Sequence, residues 1–148
     1  MNKYNIIIIV WSDIFFAKTE VRAVSIELFE HKESAYRSAA LMLEEHGKAA
    51  VIHPVGTGKS FIAFRLCADN PDKTVIWLSP SEYIYKTQLE NVRVASPEFK
   101  DSNIIFFTYA KLMLMPDDEL TKFEPSYIIL DEFHRADVER YLTALRKH

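Results

Sequence analysis

The chain has 148 residues, of which 49% are hydrophobic, and its 18 Lys and Arg against 21 Asp and Glu give a formal net charge of −3. This length suffices for one hydrophobic core and no more, and the charge provides no overall basic field that would attract nucleic acid. A single cysteine, Cys67, excludes an intramolecular disulfide, which fits a cytoplasmic protein. The five histidines show no zinc-ligand spacing.

The first patterned segment is Tyr4 to Trp11 (YNIIIIVW), which is uncharged, free of proline and rich in β-branched residues. We predict a strand added to the edge of a sheet, within an N-terminal segment of residues 1–27 to which we assign no role. A signal peptide is the alternative, but Asp13 interrupts the apolar run and no small-residue cleavage site follows. The run is too short to span a bilayer, so we expect no membrane association.

A helix, a strand and a second helix come next. Glu33 to His46 has helical periodicity and is followed by Gly47, a residue well suited to the position after a helix C-terminus. Residues 48–53 (KAAVIH) are typical of a buried strand, and residues 60–68 (SFIAFRLCA) suit a helix.

The turn between that strand and that helix has the residues of a phosphate-binding loop. Gly56 and Gly58 allow the positive φ at which successive N–H groups point at a phosphate. Lys59 can reach the β- and γ-phosphates, and Ser60 can offer its hydroxyl to Mg²⁺. The usual pattern has one more glycine where this chain has His53. The residues that we predict to bind nucleotide here are Pro54, Val55, Gly56, Thr57, Gly58, Lys59 and Ser60.

A second motif follows another predicted strand, Tyr127 to Leu130 (YIIL), whose composition is that of a parallel strand buried on both faces. This strand delivers Asp131 and Glu132 at its carboxyl end, which is where a doubly wound sheet places its chemistry. We expect Asp131 to hold Mg²⁺ and Glu132 to orient and deprotonate the attacking water. The two motifs together predict a site for ATP and Mg²⁺.

With DEFH as its second motif, the chain resembles the ATPase lobe of superfamily 2 DEAD/DEAH-box helicases, and more narrowly proteins related to the helicase subunit of type III restriction enzymes. The likeness covers roughly residues 28–136, and four phrases carry it in the expected order: AAVIHPVGTGKSFIAF, WLSPSEYIYKTQLEN, FFTYAKLM and YIILDEFHR. It implies an α/β fold over residues 28–148, a RecA-like P-loop NTPase lobe with a mainly parallel sheet flanked by helices.

The resemblance also implies roles for residues that follow two further strands, at 75–79 and 104–107. Ser79, Pro80 and Ser81 match a motif that touches the nucleic-acid backbone, although Ser81 suits the cap of the following helix equally well. Thr108 and Tyr109 match a region in which the tyrosine would stack on a base or a sugar, and packing of this tyrosine in the core is the alternative.

Some positions depart from the family. His134, at the last position of the second motif, would couple the ATP site to a third motif, and a structural histidine at the start of a helix is the alternative. Neither the third motif nor its strand follows in this sequence. In relatives that strand lies between the strands of the first two motifs, so we expect an incomplete lobe, with a gap at the centre of the sheet or a re-paired sheet. An adenine-reading glutamine of relatives is replaced by Lys32, so the residues do not imply adenine selection.

Three functions are consistent with the sequence. The first is the ATP-binding lobe of a helicase or translocase, acting on nucleic acid, with DNA favoured over RNA, when a second lobe supplies an arginine finger. The second is a nucleotide-binding regulatory module or inactive remnant without turnover. The third is a P-loop phosphotransferase, which Glu132 disfavours because a water-activating carboxylate promotes hydrolysis. We expect weak turnover or none from this chain alone.

Overall fold

A computed structural model of the chain describes residues 5–11, 30–53, 60–116, 118–131 and 143. In chain order the described elements are β1 (Asn5–Trp11), α1 (Glu30–His46), β2 (Lys48–His53), α2 (Ser60–Asp69), β3 (Val75–Ser79), α3 (Glu82–Ala95), β4 (Ile104–Thr108), α4 (Tyr109–Leu114), a 3-10 helix (Leu120–Phe123) and β5 (Tyr127–Leu130).

The strands form one five-stranded sheet in the order β2-β1-β5-β3-β4, and each neighbouring pair is parallel. Helices connect the successive strands. Parallel strands require such crossover connections, because after each strand the chain has to return to the edge of the sheet at which that strand began. The α/β fold class and the strands predicted at residues 48–53, 75–79 and 127–130 are therefore confirmed, and the strand predicted at 104–107 extends by one residue.

The N-terminal strand β1 lies at the centre of this sheet, so the prediction of an edge strand is wrong. Ile8 pairs with Ala50 of β2 on one side and with Leu130 of β5 on the other. A run of isoleucine and valine without polar alternation is typical of a parallel strand that is covered on both faces, whereas edge strands carry charges or proline. Strand β1 lies between β2 and β5, the position in which the family resemblance implied the strand of the third motif.

Two apolar clusters cover the two faces of the sheet. On one face Trp77 of β3 stacks on Phe64 of α2 at 4.4 Å between ring centroids, in a cluster that includes Ile129 of β5. On the other face Ile76 of β3 and Leu130 of β5 pack with residues of α4 and the 3-10 helix. Neighbouring residues of one strand thus enter opposite clusters, as the twofold alternation of a strand requires.

The ends of two helices show why they start and stop where they do. Helix α1 begins at Glu30, three residues before the predicted start, and ends at His46. The next residue, Gly47, has a φ of 68°, the left-handed conformation that favours glycine. Helix α3 begins after Ser81, whose Oγ accepts a hydrogen bond of 3.1 Å from the N–H of Ile84. In the described part of the chain, none of the helices is both long enough and apolar enough to cross a membrane.

We expect Ile8→Pro to lower the free energy of unfolding by about 3 kcal/mol or more, because a proline in a strand paired on both sides removes a ladder hydrogen bond and distorts the backbone. Ile8→Val keeps the backbone and should cost about 1 kcal/mol. Urea unfolding of both variants measures the difference. Equal losses in the two variants would contradict the central position of β1.

Candidate active site

All five strands are parallel, so their carboxyl ends meet at one edge of the sheet. At this edge β2 ends at His53, β3 ends at Ser79, β4 ends at Thr108 and β5 leads into Asp131. Strand β1 separates β2 from β5, and it pairs Trp11 with His53 and Ile8 with Leu130. The ends of β2 and β5 are therefore two strand spacings, about 10 Å, apart across the sheet, and β2 extends three residues, about 10 Å, further along the strand direction. The two predicted ATP-site motifs are therefore brought to the same edge by β1.

Helix α2 starts at Ser60, and this serine is buried. The N-terminus of a ten-residue helix carries a partial positive charge and N–H groups without intrahelical partners, both of which favour an anion. The other predicted residues of the two motifs lie outside the described residues: Pro54, Val55, Gly56, Thr57, Gly58, Lys59, Glu132 and His134.

Asp131 follows β5 and has no exposed surface. Its N–H donates to the carbonyl oxygen of Leu78 at 2.9 Å, so the ladder between β3 and β5 continues one residue past β5. Because side chains alternate along a ladder, Asp131 faces the same side of the sheet as Ile129, the side that α2 covers. Asp131 and the start of α2 therefore lie on the same side of the same edge.

The two serine hydroxyls at the turn after β3 are not both free to contact a ligand. Ser79 is fully buried, and its Oγ has no hydrogen-bond partner among the described residues. Pro80 is exposed, and Ser81 is half-buried with its Oγ engaged as the cap of α3. The capping alternative for Ser81 is thus observed, and contact with nucleic acid at this turn stays a prediction.

Tyr109 is buried in the cluster that contains Leu112, Leu120 and Leu130. Its hydroxyl donates to the backbone carbonyl oxygen of Asp131 at 2.7 Å, across 22 residues of sequence. A buried ring offers no open face to a base, so this arrangement matches the packing alternative; stacking would require the ring to move. The preceding residue, Thr108, is half-buried and caps α4 by accepting from the N–H of Lys111 at 3.1 Å.

Lys32 lies in the first turn of α1 and is buried beside the start of α2. Its Nζ is 5.3 Å from the centroid of the Phe61 ring, one residue after Ser60. Burial lowers the pKa of the Lys32 ammonium, because a charged group is less stable away from water. Lys32 thus lies beside an aromatic ring at the start of α2.

A buried ionic cluster ties α1 to α2. Arg65 of α2 binds Glu33 of α1 through Nη1 and binds Asp69 through Nε at 3.2 Å, and its guanidinium lies 4.7 Å from the centroid of the Tyr36 ring. The Tyr36 hydroxyl donates to Asp69, and burial together with this carboxylate raises the pKa of Tyr36. The sequence does not predict this cluster, because nothing in the helical pattern marks Arg65 as buried.

A parallel α/β sheet that gathers a helix N-terminus and a buried aspartate at its carboxyl edge defines a RecA-like lobe of the nucleotide-binding class. The family model described as "type III restriction enzyme, res subunit" matches residues 25–147, so the chain belongs to this helicase-related family. Curated proteins and solved structures were also searched, and neither search found a match. Family membership makes the chain a helicase-type ATP-binding module.

We expect Arg65→Met to lower the free energy of unfolding by about 3 kcal/mol, because it leaves the carboxylates of Glu33 and Asp69 without their buried cation. The matched control is Arg93→Met. Arg93 forms an exposed pair with Asp101 at 2.8 Å, and its loss should cost less than about 1 kcal/mol. Urea unfolding compares the two, and a control loss as large as that of Arg65→Met would contradict a special role for the buried cluster.

Proposed function

We propose that this chain is the ATP-binding lobe of a helicase or translocase that couples ATP hydrolysis to nucleic acid once a second lobe completes the site. The observation that carries the proposal is the placement of Asp131: it is buried at the carboxyl end of β5, two strands from the end of β2 and on the side of the sheet that α2 covers. Membership of a helicase-related family supports this assignment.

The donor set at this edge fits Mg²⁺. The hydroxyl of Ser60 and the carboxylate of Asp131 are hard oxygen ligands, which Mg²⁺ prefers, and a fully buried carboxylate is stabilised by a nearby cation. Among the described residues no three His, Cys, Asp or Glu side chains are grouped to hold a metal ion. Few protein ligands are expected for Mg²⁺ that arrives with a nucleotide, since phosphates and water complete its shell.

The loop residues and Glu132 have separate tasks in this proposal. The N–H groups of residues 55–59 and the start of α2 bind the phosphates, and Lys59 neutralises charge on the β- and γ-phosphates. Glu132 accepts a proton from the attacking water. When bound, Mg²⁺ adds positive charge that stabilises the transferring phosphoryl group.

In this proposal nucleic acid binds at the neighbouring strand ends, with DNA favoured over RNA. Ser79 ends β3 and is followed by Pro80 and Ser81, and Thr108 ends β4 and is followed by Tyr109. Both strand ends lie on the edge that carries the proposed ATP site. Backbone N–H groups and hydroxyls are the usual partners of phosphate oxygens. His134 is the proposed coupling residue of the second motif. The buried thiol of Cys67 is consistent with a cytoplasmic location.

A regulatory module that binds nucleotide without turnover is the second candidate. It is favoured by the N-terminal strand β1, which occupies the place that relatives give to the strand of their third motif. ATP binding and hydrolysis by the purified chain, with and without single-stranded and double-stranded DNA, separates the two candidates. Hydrolysis stimulated by DNA supports the helicase-type lobe, and binding without any turnover supports the regulatory module.

We expect Lys59→Ala to weaken binding of a fluorescent ATP analogue at least about tenfold, because the phosphates lose their cation. Glu132→Gln should keep binding and abolish whatever hydrolysis the wild type shows, because the amide cannot accept the proton. Lys73→Ala is the matched control, since Lys73 is exposed and precedes β3 at the opposite edge of the sheet. Equal affinity of wild type and Lys59→Ala would remove the basis of the site.

A further inference from the structure

The hydrogen-bond ladder between β3 and β5 lacks one donor at the site edge. In a parallel ladder, a residue donates its N–H to the carbonyl oxygen of one residue in the neighbouring strand. Its own carbonyl oxygen then accepts from the N–H that lies two residues further along the same neighbouring strand. The N–H of Asp131 bonds to the carbonyl of Leu78, so the expected donor to the carbonyl of Asp131 is the N–H of residue 80. Residue 80 is proline and has no N–H.

The hydroxyl of Tyr109 supplies the donor that Pro80 lacks. It bonds to the carbonyl oxygen of Asp131 at 2.7 Å in a buried position. Tyr109 belongs to the turn from β4 to α4, and β4 is separated from β5 by β3, so its side chain reaches past the end of one whole strand. The end of β5 is therefore tied to the end of β4 at the point where β3 would otherwise hold it.

The oxygen that Tyr109 binds belongs to the peptide group that joins Asp131 to Glu132. This group is planar, so a hydrogen bond to its oxygen restricts the direction in which the chain leaves β5. On the other side Tyr109 is covalently joined to Thr108, which caps α4 through its own hydroxyl. A displacement of Thr108 therefore moves Tyr109, to which it is covalently joined. The hydrogen bond from the Tyr109 hydroxyl transmits this displacement to the peptide group between Asp131 and Glu132.

We propose that Tyr109 is a positioning residue that couples nucleic acid bound at the ends of β3 and β4 to the nucleotide site at the end of β5. This inference rests on the proposed function, because it needs ATP at one turn and nucleic acid at the other. The coupling passes through the hydroxyl and not through stacking of the ring, which is buried. Nucleic acid that orders the β4–α4 turn also orders the Asp131–Glu132 peptide, and by linkage nucleotide orders the turn.

The test is Tyr109→Phe, which removes the hydroxyl and keeps the ring in its cluster. The dissociation constant of a fluorescent ATP analogue with Mg²⁺ is measured with and without a single-stranded DNA oligonucleotide. In wild type we expect DNA to tighten nucleotide binding by at least about fivefold. In Tyr109→Phe we expect a saturating concentration of the oligonucleotide to change the affinity for the ATP analogue by less than about twofold.

Tyr85→Phe is the matched control, because Tyr85 is a similarly buried tyrosine in the cluster on the opposite face, and it should keep the full effect of DNA. An undiminished effect of DNA in Tyr109→Phe overturns the inference and leaves the proposed function intact. A wild-type protein that binds ATP with the same affinity with and without DNA also overturns the inference and leaves the proposed function intact. Loss of ATP binding by Tyr109→Phe in the absence of DNA also overturns it, since the hydroxyl would then serve the nucleotide site or the fold. A wild type that binds no ATP overturns both.

Discussion

The pairing of β1 between β2 and β5 is the interaction on which the rest of the structure depends. Without this strand, β2, which precedes the proposed phosphate-binding loop, would have no hydrogen-bonded neighbour in the described sheet, while β5, β3 and β4 would form a separate three-stranded sheet. Unpaired backbone groups on both sides of the gap would be costly to bury. The N-terminal strand therefore joins the two halves of the proposed ATP site as well as filling the centre of the sheet.

The candidate site is assembled from segments that are distant in the sequence and adjacent only at the carboxyl edge. Ser60 begins a helix that is held against α1 by the buried Arg65 cluster, and Asp131 ends a ladder that β3 supports. The apolar cluster around Phe64 and Trp77 joins α2 to β3 on the same face. Helix position, strand register and core packing thus act together to place a hydroxyl and a carboxylate on one side of the edge.

The N–H that Pro80 lacks is replaced by the hydroxyl of Tyr109, and this changes which strand ends are hydrogen-bonded to each other at the carboxyl edge of the sheet. A proline after β3 ends the ladder, and the carbonyl it leaves is satisfied by a side chain from the far side of that strand. The proposed nucleic-acid turn and the proposed nucleotide site are consequently linked more directly than their strand order suggests. The same hydroxyl accounts for a buried tyrosine at a position where the family resemblance implies an exposed ring.

The sequence by itself determined most strand bounds and the arrival of Asp131 at a strand end, because these follow from local composition, periodicity and turn residues. The α/β class followed from the resemblance of its motifs to a known family. Only the tertiary structure decided that β1 lies at the sheet centre, since an apolar run of isoleucines specifies a strand but not its neighbours. Contacts between distant segments also put Arg65 inside and directed the hydroxyl of Tyr109 to Asp131. Each of these outcomes depends on a partner more than twenty residues away, which no local pattern encodes.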